Sequence, residues 1–131
     1  MIGYRLDTRS GLAPYLQLVR QTKDALRLGL LHPGDQLPTV KEVVATIAIN
    51  PNTVLKAYRE LERAGLVEGR PGVGTFVLKT FGGPRLADNP RLRRRLERWV
   101  TEARGAGLDD ESISALFDAT LRGSLQQEGI A

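Results

Sequence analysis

The chain has 131 residues, of which 41% are hydrophobic and 26% charged, and its net charge is +4. This composition is typical of one ordinary folded domain, or of a small domain with an appendage. The sequence contains no cysteine, which excludes disulfides and thiolate catalysis, and no apolar run approaches the ~18 residues of a membrane span. The N-terminus also lacks the apolar core of a signal peptide, so we expect a cytoplasmic protein with no membrane partner.

The basic residues are concentrated in the first part of the chain. Residues 1–80 hold eleven lysines and arginines and seven acidic residues, whereas residues 81–131 hold eight of each. The net charge of +4 therefore belongs to residues 1–80. Such an excess favours a polyanion as the partner of this part of the chain.

The first predicted element is an amphipathic helix over about residues 14–29, because apolar residues recur there at spacings of three and four. Its apolar face comprises Leu16, Val19, Leu26 and Leu30. Pro33 and Gly34 interrupt the pattern and predict a turn.

A second helix is predicted over residues 39–48. Thr39 and Glu42 have the spacing of a capping box, in which each side chain bonds the other residue's backbone N–H. The apolar face comprises Val40, Val43, Val44 and Ile47. Ile49 is then expected to anchor the following turn in the core.

The third helix has the clearest start. Asn50 is a good N-cap and Pro51 suits the first helical position, so we predict a helix from 51 to about 64. Its buried face comprises Val54, Ala57, Tyr58 and Leu61. Gly65 is well placed to end it in the left-handed conformation.

Two short strands follow, at about 66–70 and 75–79, with the segment 71–74 as the turn between them. Val67, Phe76 and Leu78 are expected to form the apolar side of this hairpin, the last two alternating onto one face. Two helices joined by a tight turn and followed by a glycine-rich hairpin are typical of a winged helix-turn-helix. Phe81-Gly82-Gly83-Pro84 breaks the pattern, so we predict a DNA-binding domain over 1–80 and a separate region over 81–131.

The region over 81–131 is predicted to contain two amphipathic helices, one over about 90–105 and one capped by Asp109. Their apolar faces contain Leu92, Leu96, Trp99, Val100, Leu116, Phe117 and Leu121. Two such helices bury little apolar surface alone, so we expect this face to form a homodimer interface. The alternative is that both helices fold back on the winged domain. We interpret the arginines within 91–98 as an ion-paired, solvated face, with contacts to DNA flanks as the alternative.

The chemistry expected of a helix-turn-helix lies at the start of its second helix, which meets base edges in the major groove. Asn50, Asn52 and Thr53 occupy that end and are suited to adenine and thymine. One helix face carries Asn52, Lys56, Arg59 and Arg63. Lys56 is expected closest to the groove, reaching guanine or phosphate, and the two arginines are expected at the DNA backbone or in solvent.

Further phosphate contacts are predicted at a helix N-terminus and at the hairpin. Helix N-termini attract anions, and Lys41 lies near the start of the second helix. Arg70 and Gly72 belong to the predicted wing, where glycine lets the backbone approach a phosphate or the minor groove closely.

Each feature alone has a simpler interpretation, as a helix cap, a solvated face or a turn. Their order within residues 37–77 favours DNA binding, with a winged helix used only for protein contacts as the alternative. An enzyme is not expected, because the single histidine, His32, lies in a turn and the carboxylates of 109–111 are more simply helix-capping groups. No metal or other cofactor is expected.

The chain resembles the GntR family of bacterial transcription regulators over residues 14–78. The matching motifs are Pro14-Tyr15 with Gln17, Gly29-x-Leu31-x-Pro33-Gly34-Asp35-x-Leu37-Pro38, Asn50-Pro51-Asn52-Thr53-Val54, Ala57-Tyr58-x-x-Leu61-Glu62-x-x-Gly65-Leu66 and Gly72-x-Gly74-Thr75-Phe76-Val77. The segment 49–54 and the short region after the hairpin resemble the YtrA subfamily.

The resemblance implies a dimer that binds a palindromic operator, with contacts at Lys41, Asn50, Asn52, Thr53, Lys56 and Gly72. The sequence departs from the family pattern at three positions. Lys41 replaces an arginine, which loses the bidentate fork of a guanidinium. Ala48 replaces a glycine, so we expect the turn to avoid a positive φ there. Pro51 replaces a base-reading arginine of relatives outside the subfamily, which leaves more weight on the asparagines.

We therefore expect a mainly α protein, in which an α+β winged helix-turn-helix carries a short C-terminal two-helix dimerisation appendage. Its recognition helix is predicted over 51–64 and its wing over 71–74. The resemblance implies a dimeric repressor of its own operon, alongside membrane-transporter genes. The short C-terminal region shows no obvious ligand pocket, which leaves open whether a small-molecule effector binds at the dimer seam or not at all.

Overall fold

The computed structural model of the chain describes residues 2–81 and 89–130, the last seven of these by their backbone alone. The described part of the chain contains five helices and a two-stranded antiparallel sheet. Their bounds are α1 (Pro14–Arg27), α2 (Val40–Ile47), α3 (Pro51–Arg63), β1 (Val67–Arg70), β2 (Gly74–Val77), α4 (Pro90–Gly105) and α5 (Asp110–Ile130). This order confirms the predicted fold class.

Contacts between residues divide the chain into two compact units, Met1–Asp88 and Asn89–Ala131. The first unit contains α1 to β2 and a single hydrophobic core, and the second contains α4 and α5. The boundary predicted at residues 81–84 falls mostly on positions outside the described residues, and it stays a prediction.

Helix α1 ends earlier than the sequence pattern indicates, and this changes which side chains it buries. Leu18 and Leu26 are fully buried, and Leu16 is only half-buried. Leu30, predicted on the apolar face, is 65% exposed. That prediction is wrong because the helix ends at Arg27, so helical spacing no longer determines where residue 30 points.

Residues 2–7 run alongside α1 and are held by two glutamine side chains that are one helical turn apart. The Gln21 amide accepts a hydrogen bond from the Arg5 N–H at 2.9 Å and donates to the Arg5 carbonyl at 2.6 Å. The Gln17 amide makes the same pair of bonds with Asp7, each at 2.9 Å. These amides satisfy backbone groups as a neighbouring strand would, so the segment becomes part of the first unit.

Two buried tyrosines connect the helices of the first unit. Tyr58 of α3 donates a hydrogen bond to the carbonyl of Pro38 at 2.6 Å, and the Tyr4 hydroxyl lies 2.8 Å from Oγ1 of Thr22. Burial raises the pKa of both tyrosines, because a phenolate would lose its hydration there. The hydroxyls thus tie residue 4 to α1, and the segment before α2 to α3.

Helix α2 begins with the predicted capping box. Oγ1 of Thr39 accepts from the Glu42 N–H at 3.1 Å, and Oε1 of Glu42 accepts from the Thr39 N–H at 3.2 Å. Val43 is buried, and Ile49 after the helix is buried too, which confirms its predicted role as the anchor of the turn.

The expectation that the turn avoids a positive φ at Ala48 is wrong. Ala48 has φ 52° and ψ 42°, and it is the only non-glycine residue at positive φ in the described part of the chain. Its N–H donates to the Val44 carbonyl at 3.0 Å and so ends α2, while Ile49 must enter the core immediately afterwards. The left-handed conformation of residue 48 allows the chain to end α2 and to bury Ile49 within so short a turn.

Helix α3 confirms the predicted cap and buried face. Oδ1 of Asn50 accepts from the Asn52 N–H at 2.8 Å. The buried side chains are Val54, Ala57, Tyr58 and Leu61, as predicted. Gly65 follows at φ 77°, the left-handed conformation expected after a helix.

The two strands pair so that Val67 lies opposite Val77, and both are buried. Leu78, predicted on the apolar side, is 46% exposed. That prediction is wrong because the register puts residue 77 on the core side, and side chains alternate along a strand. The segment before α2 also joins the sheet, since the Leu37 N–H donates to the Thr75 carbonyl at 2.8 Å.

Helices α4 and α5 form a hairpin in the second unit. Asp109 caps α5 as predicted, with Oδ1 accepting from the Ser112 N–H at 2.8 Å, and these hydrogen bonds lower the pKa of the Asp109 carboxyl. Arg104 and Asp110 form an ion pair at 3.0 Å across the connection. Ala103 and Ile113 are buried between the helices.

Candidate nucleic-acid interface

The first turn of α3 presents polar side chains at the surface. Asn50 and Asn52 are exposed and Thr53 is half-buried. The Asn50 oxygen already accepts the capping hydrogen bond from residue 52, so the NH2 group is the part of its amide left for a ligand. Within the described residues no hydrogen bond engages the side-chain amide of Asn52, which can therefore donate and accept together, as a bidentate contact to adenine requires.

The polar face of α3 is exposed along its length, at Asn52, Lys56, Arg59 and Arg63. Its members differ in their neighbours. Nζ of Lys56 lies 4.0 Å from the centre of the Tyr15 ring, a cation–π contact that joins α3 to the start of α1. Arg63 pairs with Glu60 at 3.0 Å near the end of the helix. Lys56 is therefore directed to the α1 side of α3 rather than straight outward.

A concave groove runs along the other flank of α3, between this helix, the start of α2 and the hairpin. Its lining residues are Thr39, Val40, Leu55, Tyr58, Arg59, Glu62, Gly69, Gly74 and Thr75. A second concavity continues from it over the hairpin loop, residues 71–74. Of the predicted site residues, Arg59 lies in the groove and Gly72 and Arg70 in its continuation, while Lys41 is exposed in the first turn of α2.

The hairpin loop depends on two glycines. Gly72 has φ 74°, a conformation that other residues rarely adopt, and its Cα faces open space. Gly74 has φ 146°, and a Cβ there would collide with the side-chain amide of Gln36. Nε2 of Gln36 donates to the Val73 carbonyl at 3.4 Å, so the loop is held against the segment before α2.

Arg70 is held on the sheet surface. Its guanidinium lies 4.5 Å from the centre of the Phe76 ring, and its Nε lies 3.3 Å from Oε2 of Glu68. The side chain remains 53% exposed. A phosphate at this position would compete with Glu68 for the same guanidinium.

Three residues of this surface were not among the sites predicted from sequence. Tyr15 supports Lys56, Gln36 holds the hairpin loop, and Glu62 accepts a hydrogen bond from the Gly69 N–H at 3.1 Å. Tyr15 and Glu62 do belong to the motifs that resemble the GntR family. The contacts of all three residues join different elements or loops of the fold, so neither spacing nor composition indicates them.

The described residues contain no cluster of three or more His, Cys, Asp and Glu side chains that could hold a metal ion. His32 is exposed, with Nδ1 3.5 Å from Oδ2 of Asp35. None of the helices in the described part of the chain is long and apolar enough to cross a membrane.

Known proteins share this arrangement. Residues 14–77 match the sequence profile "Bacterial regulatory proteins, gntR family". The HTH-type transcriptional repressor YtrA of Bacillus subtilis (strain 168) is 34% identical over 110 residues, which cover 83% of this chain and 85% of YtrA. The HTH-type transcriptional regulator Rv1152 of Mycobacterium tuberculosis (strain ATCC 25618 / H37Rv) is 44% identical over 73 residues, or 56% of this chain and 60% of that protein.

The likeness extends to solved structures. The crystal structure of a transcriptional antiterminator from Listeria monocytogenes EGD-e matches with a TM-score of 0.58 and 29% identity, covering 91% of this chain and 90% of that one. The similarity to YtrA likewise extends beyond the winged helix into the second unit. Sequence, helix-turn-helix geometry and hairpin agree, and the chain belongs to the GntR family of bacterial regulatory proteins.

Proposed function

We propose that the chain is a cytoplasmic, sequence-specific DNA-binding repressor that acts as a homodimer on a palindromic operator. Helix α3 enters the major groove, and the loop 71–74 is the wing that contacts the adjacent backbone or minor groove. The observation that carries this proposal is the first turn of α3, where Asn52 is exposed and Thr53 half-buried, while Val54, Ala57, Tyr58 and Leu61 of the same helix are buried. The repressor activity is supported by the similarity to YtrA, whose name states it.

The residues of the surface divide by chemistry into base readers and backbone contacts. Asn52 and Thr53 are proposed to read base edges, because they lie at the end of α3 that meets the bases in a helix-turn-helix. The proposed phosphate contacts are Lys41, Asn50, Arg59, Arg70 and the backbone of Gly72, while Lys56 is proposed to reach guanine or a phosphate. Phosphate contacts set the register of the protein on the duplex and dominate the salt dependence of binding.

The homodimer is proposed from the apolar face of the second unit. Leu92, Leu96, Leu116, Phe117 and Leu121 are all exposed, and Trp99 and Val100 are half-buried. Leu96, Trp99, Val100, Ile113 and Phe117 line an open, mostly apolar groove between α4 and α5. A second copy of the same hairpin would cover these side chains on both subunits, and two-fold symmetry would match a palindromic operator. This groove at the dimer seam is also where a small-molecule effector would bind.

The regulated genes follow from the resemblance rather than from the geometry. The resemblance to the YtrA subfamily implies control of the chain's own operon, alongside membrane-transporter genes. Duplexes that the chain selects from fragments of its source genome would identify the operator and its neighbouring genes.

The reading role of α3 is tested with the double variant Asn52→Ala with Lys56→Ala. We expect this variant to lose discrimination between the selected operator and a shuffled duplex, by roughly 5- to 150-fold for the asparagine contact alone. Arg63→Ala is the matched control on the same helix face, and it should weaken both duplexes about equally. Unchanged discrimination in the double variant would favour a winged helix that makes protein contacts only.

The dimer is tested by sedimentation of the full chain carrying Leu96→Asp or Phe117→Asp. Both variants are expected to be monomeric at concentrations where the unchanged chain is dimeric, because a carboxylate would be buried without a partner. Leu30→Asp places the same charge on an exposed leucine of the first unit and should leave the dimer intact. A dimer that survives both substitutions would locate the subunit contact elsewhere.

A further inference from the structure

We propose that α4 carries a second DNA-binding surface, an arginine stripe formed by Arg91, Arg94, Arg95 and Arg98, which contacts phosphates of the duplex flanking the operator. This inference rests on the proposed function. It adds a DNA contact made by the second unit, for which the proposed function gives only the role of joining two subunits.

The spacing of these arginines places them on one side of α4. Positions 91, 94, 95 and 98 are separated by three and four residues, and residues at such spacings are neighbours on a helix surface. All four side chains are exposed. Leu92, Leu96 and Trp99 project from a different side, roughly a third of a turn away. The arginine stripe therefore stays accessible when the apolar face is covered by a second subunit.

The positive charge of the arginine stripe is not neutralised by its surroundings. Residues 90–105 contain six arginines and two glutamates, a net charge of +4, although residues 81–131 as a whole are neutral. The Glu97 carboxylate pairs with Arg93 at 3.0 Å, and Arg104 pairs with Asp110. Within the part of the chain that the structure describes, Arg94, Arg95 and Arg98 have no carboxylate partner.

The positive charge of the arginine stripe lies near the start of α4, where it destabilises the helix. Arginines near a helix N-terminus oppose the helix dipole, and like charges three or four residues apart repel one another. Helix α4 has no acidic residue in its first turn, whereas α5 has two, Asp110 and Glu111. An external anion would compensate both effects in α4, and helix N-termini are themselves favourable places for phosphate.

Duplex DNA is the anion that fits best. Guanidinium groups bind phosphate oxygens in a bidentate manner. The arginine stripe extends about 10 Å along the helix, comparable with the rise of three base pairs at 3.4 Å each. The winged helix of the same chain is proposed to bind a duplex, and a tethered second surface experiences that duplex at a high effective concentration. An acidic surface on a second subunit is the competing occupant, and the experiment below separates the two.

The test compares two duplexes, the selected operator alone and the same operator with about 15 base pairs of unrelated sequence on each side, at 50–200 mM salt. The unchanged full chain should bind the longer duplex with a steeper log–log salt slope, by about 0.9 per additional phosphate. Arg94→Gln with Arg98→Gln removes two of the four arginines, so it should remove about half of this difference and weaken binding of the longer duplex by about 10-fold or more. Binding of the short duplex should not change.

Two further variants serve as controls. Arg94→Lys with Arg98→Lys keeps the charge and should keep most of the slope difference. Arg20→Gln with Arg122→Gln removes the same charge from exposed positions outside the arginine stripe and should leave the slope difference intact.

Equal slopes on both duplexes for the unchanged chain would overturn the proposal, and so would a dimer that dissociates in the Arg94→Gln, Arg98→Gln variant. If the chain fails to distinguish the operator from a shuffled duplex, the proposed function fails instead. The arginine stripe is still tested in that case, because its removal should lower the salt slope on any long duplex.

Discussion

Ala48 concentrates the strain of the helix-turn-helix in one residue. An L-residue other than glycine loses about 1–2 kcal/mol in the left-handed conformation, whereas glycine adopts it freely. The end of α2 and the burial of Ile49 together determine the backbone path, so the alanine at position 48 adopts this conformation despite its cost. The strain is therefore stored in the connection that sets α3 against α2.

Replacing Ala48 by glycine should stabilise the chain. We expect the free energy of unfolding to rise by about 0.5–1 kcal/mol, the relief of strain less the greater entropy of glycine in the unfolded chain. Urea denaturation measures this difference. Ala45→Gly is the matched control, since residue 45 is exposed inside α2 and glycine should cost about 1 kcal/mol there. Equal destabilisation by both substitutions would mean that residue 48 is not left-handed in solution.

Tyr58 makes stability depend on alkaline pH. Burial raises its pKa in the folded chain, while the unfolded chain keeps the ordinary value near 10. The contribution of Tyr58 to stability is therefore complete below pH ~10, and it falls by up to about 1.4 kcal/mol per pH unit above that value. Tyr58→Phe should cost about 1 kcal/mol at pH 8 through the lost hydrogen bond to Pro38, but should lose less stability between pH 10 and 11. Parallel pH profiles for the two proteins would contradict this account.

Local signals predicted the cap and the buried face of α3 well, whereas contacts between different elements were not predicted. The cap by Asn50 and the buried stripe of α3 depend on spacings of two to four residues, which the sequence displays directly. The contact of Lys56 with Tyr15 and that of Gln36 with Val73 depend on how the elements pack, so no spacing could reveal them. At Ala48 a local preference led to a wrong prediction. Alanine normally avoids a positive φ, but the tertiary structure around the turn imposes one there.

The N-terminal segment is the least expected element of the first unit. No regular element is predicted before residue 14, yet Tyr4 is buried in the core and Ile2 and Leu6 pack against it. The backbone of the segment is held by hydrogen bonds with the side chains of Gln17 and Gln21 of α1. Gln17 is buried and also donates to the Leu12 carbonyl at 2.9 Å.

Substituting Gln17 should therefore weaken the first unit more than substituting Gln21. Gln17→Ala leaves backbone groups of Asp7 and Leu12 without their partners, and we expect a loss of about 2–3 kcal/mol. Gln21→Ala removes a similar but exposed pair of bonds and should cost less than about 1 kcal/mol. Urea denaturation and amide exchange of residues 3–7 measure both effects. Equal, small losses would show that the segment does not contribute to folding.

The hairpin illustrates why strand registers were harder to predict than helix faces. Val77 and Leu78 are adjacent apolar residues, and either could be placed on the core side by alternation alone. The choice is made by the pairing of Val67 with Val77 and by the Val77 N–H, which donates to the Asp35 carbonyl at 2.8 Å. A shift of one residue would exchange the two faces of the strand, and neither neighbour is marked in the sequence.

At the scale of the whole molecule, the proposed function gives the two units different roles. The first has a complete core and presents α3, while the second buries few of its apolar side chains within its own hairpin. We propose that the second unit joins two winged-helix domains in a dimer. We further propose that its arginine stripe extends their contact with DNA. The apolar face and the arginines of α4 both follow helical spacing and are visible in the sequence, which by itself favours an ion-paired, solvated face for the arginines.

The central claim, that α3 reads a specific sequence, is tested most directly by equilibrium binding of the full chain to two duplexes at one salt concentration. One duplex is the operator selected from the source genome, and the other has the same composition in shuffled order. We expect the operator to bind at least about 10³-fold more tightly, as specific DNA-binding proteins do. Equal affinities for the two duplexes would contradict the account.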